Sequence, residues 1–168
     1  MKATIVIDCG MGNVGSVVNM GQAAGGRLRV SDVPQEIALA DKLILPGVGS
    51  FDEGMSKLRE RNLIELLSES VLNRATPILG ICLGMQLFSR RSEEGESAGL
   101  AWLPAATVRF DFSSDQPLRV PHMGWNSLAL TKNWLDPKVD DGYVYFVHSY
   151  YVPVNPYTAA ITEYILPF

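Results

Sequence analysis

The chain has 168 residues, of which 47% are hydrophobic, and its 14 basic and 18 acidic residues give a net charge of −4. This length and apolar content are typical of one soluble domain with a substantial core, and the interspersed charges argue against a nucleic-acid or membrane surface. The two cysteines favour a reducing cytoplasm over a disulfide scaffold, and no apolar run suits a signal peptide or a membrane span. We therefore expect a small molecule or another protein as the binding partner.

The first half of the chain alternates apolar strands with amphipathic helices. Continuous apolar runs and helix-period spacing predict strands at 3–7, 27–31, 42–45 and 78–81 and helices at 14–24, 34–40 and 54–74. Because strands and helices alternate, we expect an α/β fold with a doubly wound, mostly parallel sheet and helices on both faces.

The character of the sequence changes after Trp102. Short runs separated by Pro, Gly, Asp and Asn predict antiparallel or mixed strands at 106–110, 118–120, 126–131, 143–147 and 158–164. No linker marks a new domain, so residues 1–168 are predicted to form a single domain with these strands added to its C-terminal half.

A cysteine between two glycines stands where the fourth apolar run ends and an amphipathic segment begins. Gly80-x-Cys82-x-Gly84 has the spacing of a nucleophile elbow, in which small flanking residues allow a strained turn to present the nucleophile at the end of a sheet. The amides of a following helix would favour a thiolate there. The alternative is a small buried cysteine beside packing glycines.

A glycine-rich loop follows the third predicted strand, at Pro46–Phe51. In a parallel sheet its backbone can face the Cys82 turn. If Cys82 attacks a carbonyl group, the developing oxyanion needs donors, and the backbone amides of Leu83 and of Val48 and Gly49 are the candidates. The alternative is an ordinary flexible loop.

The segment Gly10–Gly15 argues for a different function, because it satisfies G-x-G-x-x-G between a strand and a helix. Asp32 follows the second predicted strand at about the spacing of a ribose-binding acid. A dinucleotide-binding oxidoreductase is therefore an alternative, although any doubly wound sheet needs a tight turn at this place.

Six stretches together resemble the glutaminase subunit of imidazole glycerol phosphate synthase, within the class I glutamine amidotransferases. Cys-x-Gly-x-Gln at 82–86 is similar to the wider class, whereas Pro-His-Met-Gly-Trp-Asn at 121–126 and Tyr-Phe-Val-His-Ser-Tyr at 145–150 are similar to this subunit. The remaining stretches are 8–13, 45–51 and 92–94. This resemblance weighs against the dinucleotide alternative, and it implies a flavodoxin-like fold with no metal and no cofactor.

The resemblance also implies roles for individual residues. Cys82 would attack the side-chain amide of glutamine, and water would hydrolyse the resulting glutamyl thioester. Gln86 and Glu94 would contact the glutamine, and the backbone around Ser149 and Tyr150 would hold its α-amino and carboxylate ends. Without the resemblance, Gln86 would be taken as an exposed helix residue and Glu94 as a solvated loop charge.

The family resemblance implies a protein partner as well, a barrel-shaped cyclase that forms a heterodimer with this chain and receives the ammonia. Asn13, Met123 and Trp125 are expected at that interface and at the ammonia exit, and the rival interpretation of Trp125 is a core tryptophan. Cys9 replaces the family's usual tyrosine, and we expect a small packing residue there.

One part of the family pattern is missing. The family takes its general base and the orienting acid from a later His-Pro-Glu segment, and the only histidines here are His122 and His148. The expectation is a C-terminally truncated member with an incomplete triad, in which His148 is a strand histidine of structural role. Two rivals remain, a paralogue that feeds ammonia to another acceptor and a non-catalytic interaction module.

Overall fold

The computed structural model describes residues 4–111, 118–133, 136 and 142–168, so Ala3 of the first predicted strand lies outside the described residues. The chain divides into two compact units, Met1–Pro104 and Ala105–Phe168. The prediction of one domain over 1–168 stays a prediction. Among the described residues, no helix combines the length and the apolar character needed to span a membrane.

The first unit alternates strands and helices, as the apolar pattern predicts. Its strands are β1 (Thr4–Ile7), β2 (Leu28–Ser31), β3 (Lys42–Gly47) and β4 (Ile78–Cys82), and its helices are α1 (Val14–Ala23), α2 (Pro34–Ala38), α3 (Phe51–Glu60), α4 (Leu63–Ser68) and α5 (Leu83–Gln86). The strands are parallel and lie in the order β2-β1-β3-β4. This is the order of flavodoxin-like doubly wound sheets, so the predicted fold class is confirmed.

The core of this unit is formed by the central strands and by the apolar faces of α2 to α5. Its members are buried aliphatic and aromatic side chains that include Ile5, Ile7, Ile37, Leu43, Leu45, Phe51, Met55, Leu58, Leu63, Leu67 and Leu87. Burying one such side chain contributes about 1.5–3 kcal/mol. The core therefore holds in place the ends of β3 and β4 and the starts of α3 and α5.

The prediction of one continuous helix over 54–74 is wrong. Helix α3 ends at Glu60, and Asn62 adopts the left-handed conformation, with φ 54°. Asparagine tolerates this conformation better than most residues, so the chain turns there before α4 and a following π-helical turn, Glu69–Asn73. The apolar stripe continues through the break because both helices pack on the same core.

The second unit consists of short antiparallel pairs, which confirms the added strands. Its strands are β5 (Val108–Arg109), β6 (His122–Ser127), β7 (Ala129–Leu130), β8 (Tyr143–His148), β9 (Tyr150–Tyr151), β10 (Ala160–Ile161), β11 (Glu163–Tyr164) and β12 (Leu166–Pro167). The pairs are β5 with β9, β6 with β8, β7 with β10, and β11 with β12. The strand predicted at 118–120 is wrong: β6 starts only after Pro121, which has no N–H to donate to a ladder.

An aromatic cluster forms the centre of the second unit. Phe110 is buried, and its ring lies 4.4 Å from that of Tyr151 and 5.5 Å from that of Phe168, measured between centroids. The rings of His122, Phe146, His148 and Tyr164 complete the cluster. Both histidines of the chain are thus packed among aromatic rings.

Candidate active site

Cys82 occupies the turn between β4 and α5. Its backbone has φ 54° and ψ −116°, a positive φ that residues other than glycine seldom adopt. Such a conformation costs on the order of 1–3 kcal/mol and is concentrated at functional sites. The thiol is free and exposed. The predicted strand–elbow–helix arrangement is therefore confirmed, and the alternative of a buried packing cysteine is wrong.

Three glycines around the elbow are required by close backbone approach. A Cβ atom on Gly84 would clash with the carbonyl oxygen of Leu45, one on Gly80 would lie 2.5 Å from the Cα of Met85, and one on Gly47 would lie 2.6 Å from the amide nitrogen of Gly84. Larger residues at these positions would push α5 away from β3 and β4. The two glycines of the Gly-x-Cys-x-Gly motif thus allow α5 to pack closely against β3 and β4 at the Cys82 turn.

The glycine-rich loop lies beside the elbow, as the sequence predicts. Gly47 is the register partner of Cys82 in the parallel ladder between β3 and β4. The loop then passes through Val48, which is exposed, and Gly49, which has a φ of +108°. Leu83 follows Cys82 directly and is buried at the start of α5. These positions suit amide donors to an oxyanion, and that role stays a prediction.

The remaining predicted residues of α5 and of the first loop have well-defined surroundings. Gln86 is buried, so its interpretation as an ordinary exposed helix residue is wrong. Cys9 is buried in the core, and burial raises the pKa of its thiol. The expectation that Cys9 is a packing residue agrees with this, and the contact of Gln86 with glutamine stays a prediction.

Glu94 is anchored to the start of helix α3. Its Oε2 atom accepts a hydrogen bond of 2.8 Å from the backbone N–H of Phe51, and its own N–H donates to the Oγ of buried Ser92, at 3.1 Å. The interpretation of Glu94 as a freely solvated loop charge is therefore wrong. Phe51 ends the glycine-rich loop, and Gly47 near its start is the register partner of Cys82, so Glu94 and Cys82 contact opposite ends of the same loop.

Asp52 is a residue that the sequence analysis missed. Its two carboxylate oxygens accept hydrogen bonds from the backbone N–H groups of Ser97, at 2.9 Å, and of Glu96, at 3.1 Å. These two bonds, that from Ser97 first, lower the pKa of the Asp52 carboxyl group. The only local signal was an acidic residue in the first turn of a helix, which does not indicate a distant partner.

Ser149 and Tyr150 belong to the second unit. The carbonyl oxygen of Ser149 accepts a hydrogen bond of 3.0 Å from the N–H of Phe110, and Tyr150 is part of β9. Their backbone is thus held by the β5–β9 pair. Their role in binding glutamine stays a prediction.

The two histidines are hydrogen-bonded to each other, which the sequence analysis did not predict. His122 and His148 are register partners of β6 and β8, and 2.9 Å separates Nδ1 of His122 from Nε2 of His148. Nδ1 of His148 lies 2.9 Å from the carbonyl oxygen of Tyr150, so it must carry the proton. In neutral His148, Nε2 then accepts a hydrogen bond from the Nδ1–H of His122.

The environment of the pair favours these neutral forms. Burial, followed by the charge of His148, lowers the pKa of His122 to about 4, and burial lowers the pKa of His148, while its bond to Tyr150 acts in the opposite direction. Both ring nitrogens of His148 are therefore occupied near neutral pH. The expectation that His148 has a structural role agrees with this arrangement.

Two of the three predicted interface residues lie on one exposed face of β6 and β8. Met123 pairs with Val147 and Trp125 pairs with Tyr145, and all four side chains are more than half exposed. The rings of Trp125 and Tyr145 meet edge to face at 5.6 Å. The core interpretation of Trp125 is therefore wrong. We name Met123, Trp125, Tyr143, Tyr145 and Val147 the aromatic face.

Asn13, the third predicted interface residue, lies in the first unit. Its side chain caps α1 by accepting a hydrogen bond of 3.0 Å from the N–H of Ser16. In the preceding turn, Gly10 and Gly12 have φ values of 75° and 95°, and the N–H of Gly10 donates to the Asp8 carboxylate. The glycines of the supposed dinucleotide motif thus serve a tight turn, and a contact of Asn13 with a partner stays a prediction.

Comparisons with known proteins agree with the geometry of the elbow. The family model of the class I glutamine amidotransferases matches residues 5–164. The imidazole glycerol phosphate synthase subunit HisH 2 of Pseudomonas aeruginosa is 45% identical over 155 residues, which cover 90% of this chain and 76% of that protein. The subunit HisH 2 of Methanococcus maripaludis is 49% identical over 149 residues, which cover 88% and 73%.

A solved structure supports the fold. The crystal structure of a glutamine amidotransferase matches with a TM-score of 0.71 at 12% identity, covering 95% of this chain and 84% of that chain. The chain therefore belongs to the class I glutamine amidotransferase family, in the branch of its HisH relatives. This membership leaves the dinucleotide alternative without support.

Proposed function

We propose that this chain is the glutaminase subunit of an imidazole glycerol phosphate synthase. The thiolate of Cys82 attacks the side-chain amide carbonyl of glutamine, the C–N bond breaks, and the nitrogen leaves as ammonia after taking up a proton. Water then hydrolyses the glutamyl thioester to glutamate and restores the thiol. The ammonia passes to a cyclase partner that makes imidazole glycerol phosphate and AICAR in histidine biosynthesis.

The conformation of Cys82 is the single observation that carries this proposal. An exposed thiol on a strained turn, with φ 54° and ψ −116°, is accessible to a substrate carbonyl group. Gly47 of the glycine-rich loop is the register partner of Cys82, which supports the amides of Val48, Gly49 and Leu83 as the oxyanion donors. A reducing cytoplasm suits this free thiol.

Glutamine selection is assigned to Glu94 and Gln86 of the first unit and to backbone groups of the second unit. The carboxylate of Glu94 is suited to accept hydrogen bonds from a glutamine nitrogen, and Gln86 lies in the helix that starts at the elbow. The backbone of Ser149 and Tyr150 completes the proposed substrate contacts. Each of these assignments accounts for a polar group of the amino-acid substrate.

Detection of the glutamyl thioester on Cys82 tests the proposed chemistry. The chain is mixed with isotopically labelled glutamine in the presence of a cyclase partner and its ligand, quenched in acid and digested for mass spectrometry. We expect the Cys82 peptide of the parent to gain the mass of glutamine less that of ammonia, as a glutamyl adduct. No adduct is expected in Cys82→Ala. Absence of the glutamyl adduct from the Cys82 peptide of the parent would refute the proposal.

The aromatic face is the proposed docking surface for the cyclase. Its five large side chains are each more than half exposed and lie on one side of the β6–β8 pair, and contiguous apolar surface of this kind marks interaction sites. Trp125 is an aromatic anchor of the type that dominates binding energy. Asn13 of the first unit is proposed separately, from the family resemblance, as a residue at the partner interface and the ammonia exit.

The acceptor of the ammonia is a property of the partner, so it needs a separate test. We expect the coding sequence, extended by a His-Pro-Glu segment, to restore growth of a histidine auxotroph that lacks its glutaminase subunit. Growth that requires histidine despite glutaminase activity in vitro would favour a paralogue with another acceptor. Because the two histidines of this chain bond to each other, an interaction module without turnover is the second candidate.

A further inference from the structure

The segment 92–97 is held against the start of α3 by carboxylates from both sides. Glu94 accepts the N–H of Phe51 at 2.8 Å, while Asp52 accepts the N–H groups of Ser97 at 2.9 Å and Glu96 at 3.1 Å. Each of these bonds has a charged acceptor, which makes it stronger than a neutral hydrogen bond. We name these three bonds the Asp52–Glu94 clasp.

The segment lies directly on the Asp52 carboxylate. A Cβ atom at Gly95 would clash with both of its oxygens and with Cγ, so a larger residue there would displace the Asp52 carboxylate. On the other side of Gly95, the N–H of Glu94 bonds to buried Ser92. Glu94 is thus held between two fixed points, and its backbone has little freedom to turn away.

The two carboxylates of the clasp differ in what they can still bind. Both oxygens of Asp52 are occupied by backbone amides. Glu94 uses Oε2 on Phe51, and within the described part of the chain no hydrogen bond is found on its Oε1. Glu94 therefore has an acceptor to offer to a ligand, whereas Asp52 serves the conformation of the segment.

We propose that Asp52 is a positioning residue for glutamine, which it serves by fixing the direction of the Glu94 carboxylate. Glu94 holds one oxygen on the amide of Phe51 and presents the other to a nitrogen of the substrate. The same bond ties Glu94 to the end of the glycine-rich loop, whose Gly47 pairs with Cys82. This inference rests on the proposed function, and it adds a residue that touches neither the substrate nor the nucleophile.

The test measures inactivation of Cys82 by a diazoketone analogue of glutamine, as a function of its concentration. Asp52→Ala removes both bonds to the segment, so we expect the half-saturating concentration to rise about tenfold while the maximal rate changes less than about twofold. Asp52→Asn keeps one acceptor oxygen and should give a smaller rise. The matched control is Glu60→Gln on the same helix. Among the residues that the structure describes, its carboxylate bonds only to Ser56, and its values should equal those of the parent.

A second comparison separates positioning from general damage. If Asp52 acts through Glu94, Asp52→Ala in a Glu94→Ala background should add less than about a twofold change. Iodoacetamide, which has no amino-acid group to recognise, should alkylate Cys82 at the parental rate in every variant. Asp52→Asn supplies the same comparisons if Asp52→Ala does not fold.

The outcomes distinguish this inference from the proposal beneath it. A parent in which labelling neither saturates nor is blocked by glutamine refutes the proposed function and this inference with it. A parent that saturates, with Asp52→Ala and Asp52→Asn at the parental half-saturating concentration, refutes the inference alone. An undiminished effect of Asp52→Ala in the Glu94→Ala background also overturns it.

Discussion

In the histidine pair, the direction of one hydrogen bond fixes which ring nitrogen of His148 carries the proton. The carbonyl oxygen of Tyr150 can only accept, so His148 must donate from Nδ1 and accept at Nε2, and His122 must donate to it. His148 therefore has no lone pair to offer as a general base unless this chain of bonds breaks. His148 is the last residue of β8 and is paired there with His122 of β6, in agreement with the expected structural role.

The lowered pKa values predict a loss of stability in mild acid. The folded state keeps His122 neutral down to a pKa of about 4, whereas the unfolded chain takes up a proton near 6.5. The unfolded state thus binds more protons between these values, so the contribution is complete above pH 6.5 and is lost as the pH falls toward 4. We expect the free energy of unfolding to fall by about 1–3 kcal/mol over this range.

Urea unfolding at pH 7.0 and at pH 5.0 measures this change. The control is His122→Gln, which keeps an amide donor but cannot take up a proton in this range. Its free energy of unfolding should depend less on pH than that of the parent. The same difference between the two pH values in both proteins would assign the effect to other groups.

The elbow keeps its shape because glycines, which have no side chain, occupy its most tightly packed positions. Gly84→Ala would drive a methyl group into the carbonyl of Leu45 and separate α5 from β3. We expect a loss of at least about 3 kcal/mol in unfolding free energy, or failure to fold. The added methyl group meets backbone atoms, which can move away only if the helix or the strand shifts. The matched control is Gly15→Ala within α1, where the nearest atom is 3.5 Å from the added carbon.

Gly15→Ala should leave stability unchanged or raise it by up to about 1 kcal/mol, because alanine favours the helix. Thermal unfolding of the two variants provides the comparison. Similar losses in both would mean that the glycines of the elbow are not specifically required. A Gly84→Ala protein of parental stability would contradict the close packing of α5.

The β6–β8 pair is the element on which partner binding depends. Trp125→Ala removes the largest side chain of the aromatic face, so we expect affinity for the cyclase to fall about thirtyfold or more. Because the side chain is 69% exposed, unfolding free energy should change by less than about 1 kcal/mol. Calorimetric titration and urea unfolding give the two quantities.

Tyr157→Ala is the matched control for the docking surface. Tyr157 is 63% exposed and lies outside the aromatic face. Its replacement should leave both affinity and stability at the parental values. Equal losses of affinity in the two variants, or a loss of stability in Trp125→Ala that parallels its loss of affinity, would contradict an interface role.

The elements that could be predicted from the sequence are those with local causes. The Gly-x-Cys-x-Gly spacing indicates the elbow because the glycines and the cysteine are neighbours in the chain and the constraint acts between them. The parallel order follows from alternating strands and helices in the same way. The break at Asn62 was missed because the apolar stripe is continuous across it, and only the tolerance of asparagine for positive φ indicates a turn.

The rest of the candidate site depends on contacts between distant residues. His122 and His148 are 26 positions apart, and Asp52 is 44 and 45 positions from the residues whose amides it accepts. A contact of this kind follows from strand register and from the path of a loop, neither of which the local pattern determines. The exposure of Trp125 is a similar case, because alternation along β6 does not say which side is covered.

Across residues 1–168, the two histidines are hydrogen-bonded to each other, so neither is placed to act as the general base of turnover. We expect glutamine hydrolysis by the 168-residue chain to be about 10²–10⁴ slower than by a version extended with a His-Pro-Glu segment, each with a saturating cyclase partner. The rate of ammonia release is measured for both proteins. Equal rates that Cys82→Ala abolishes would show that the base is already present and that the histidine pair opens.

The identity of the nucleophile is the central claim, and one labelling experiment tests it most directly. The folded protein is treated with the diazoketone analogue of glutamine, with and without excess glutamine, and the adduct is mapped by mass spectrometry. We predict modification of the exposed Cys82 that glutamine suppresses, and no modification of Cys9, whose thiol is buried and has a raised pKa. Labelling of Cys9 alone, or labelling of Cys82 that glutamine does not reduce, would contradict the account.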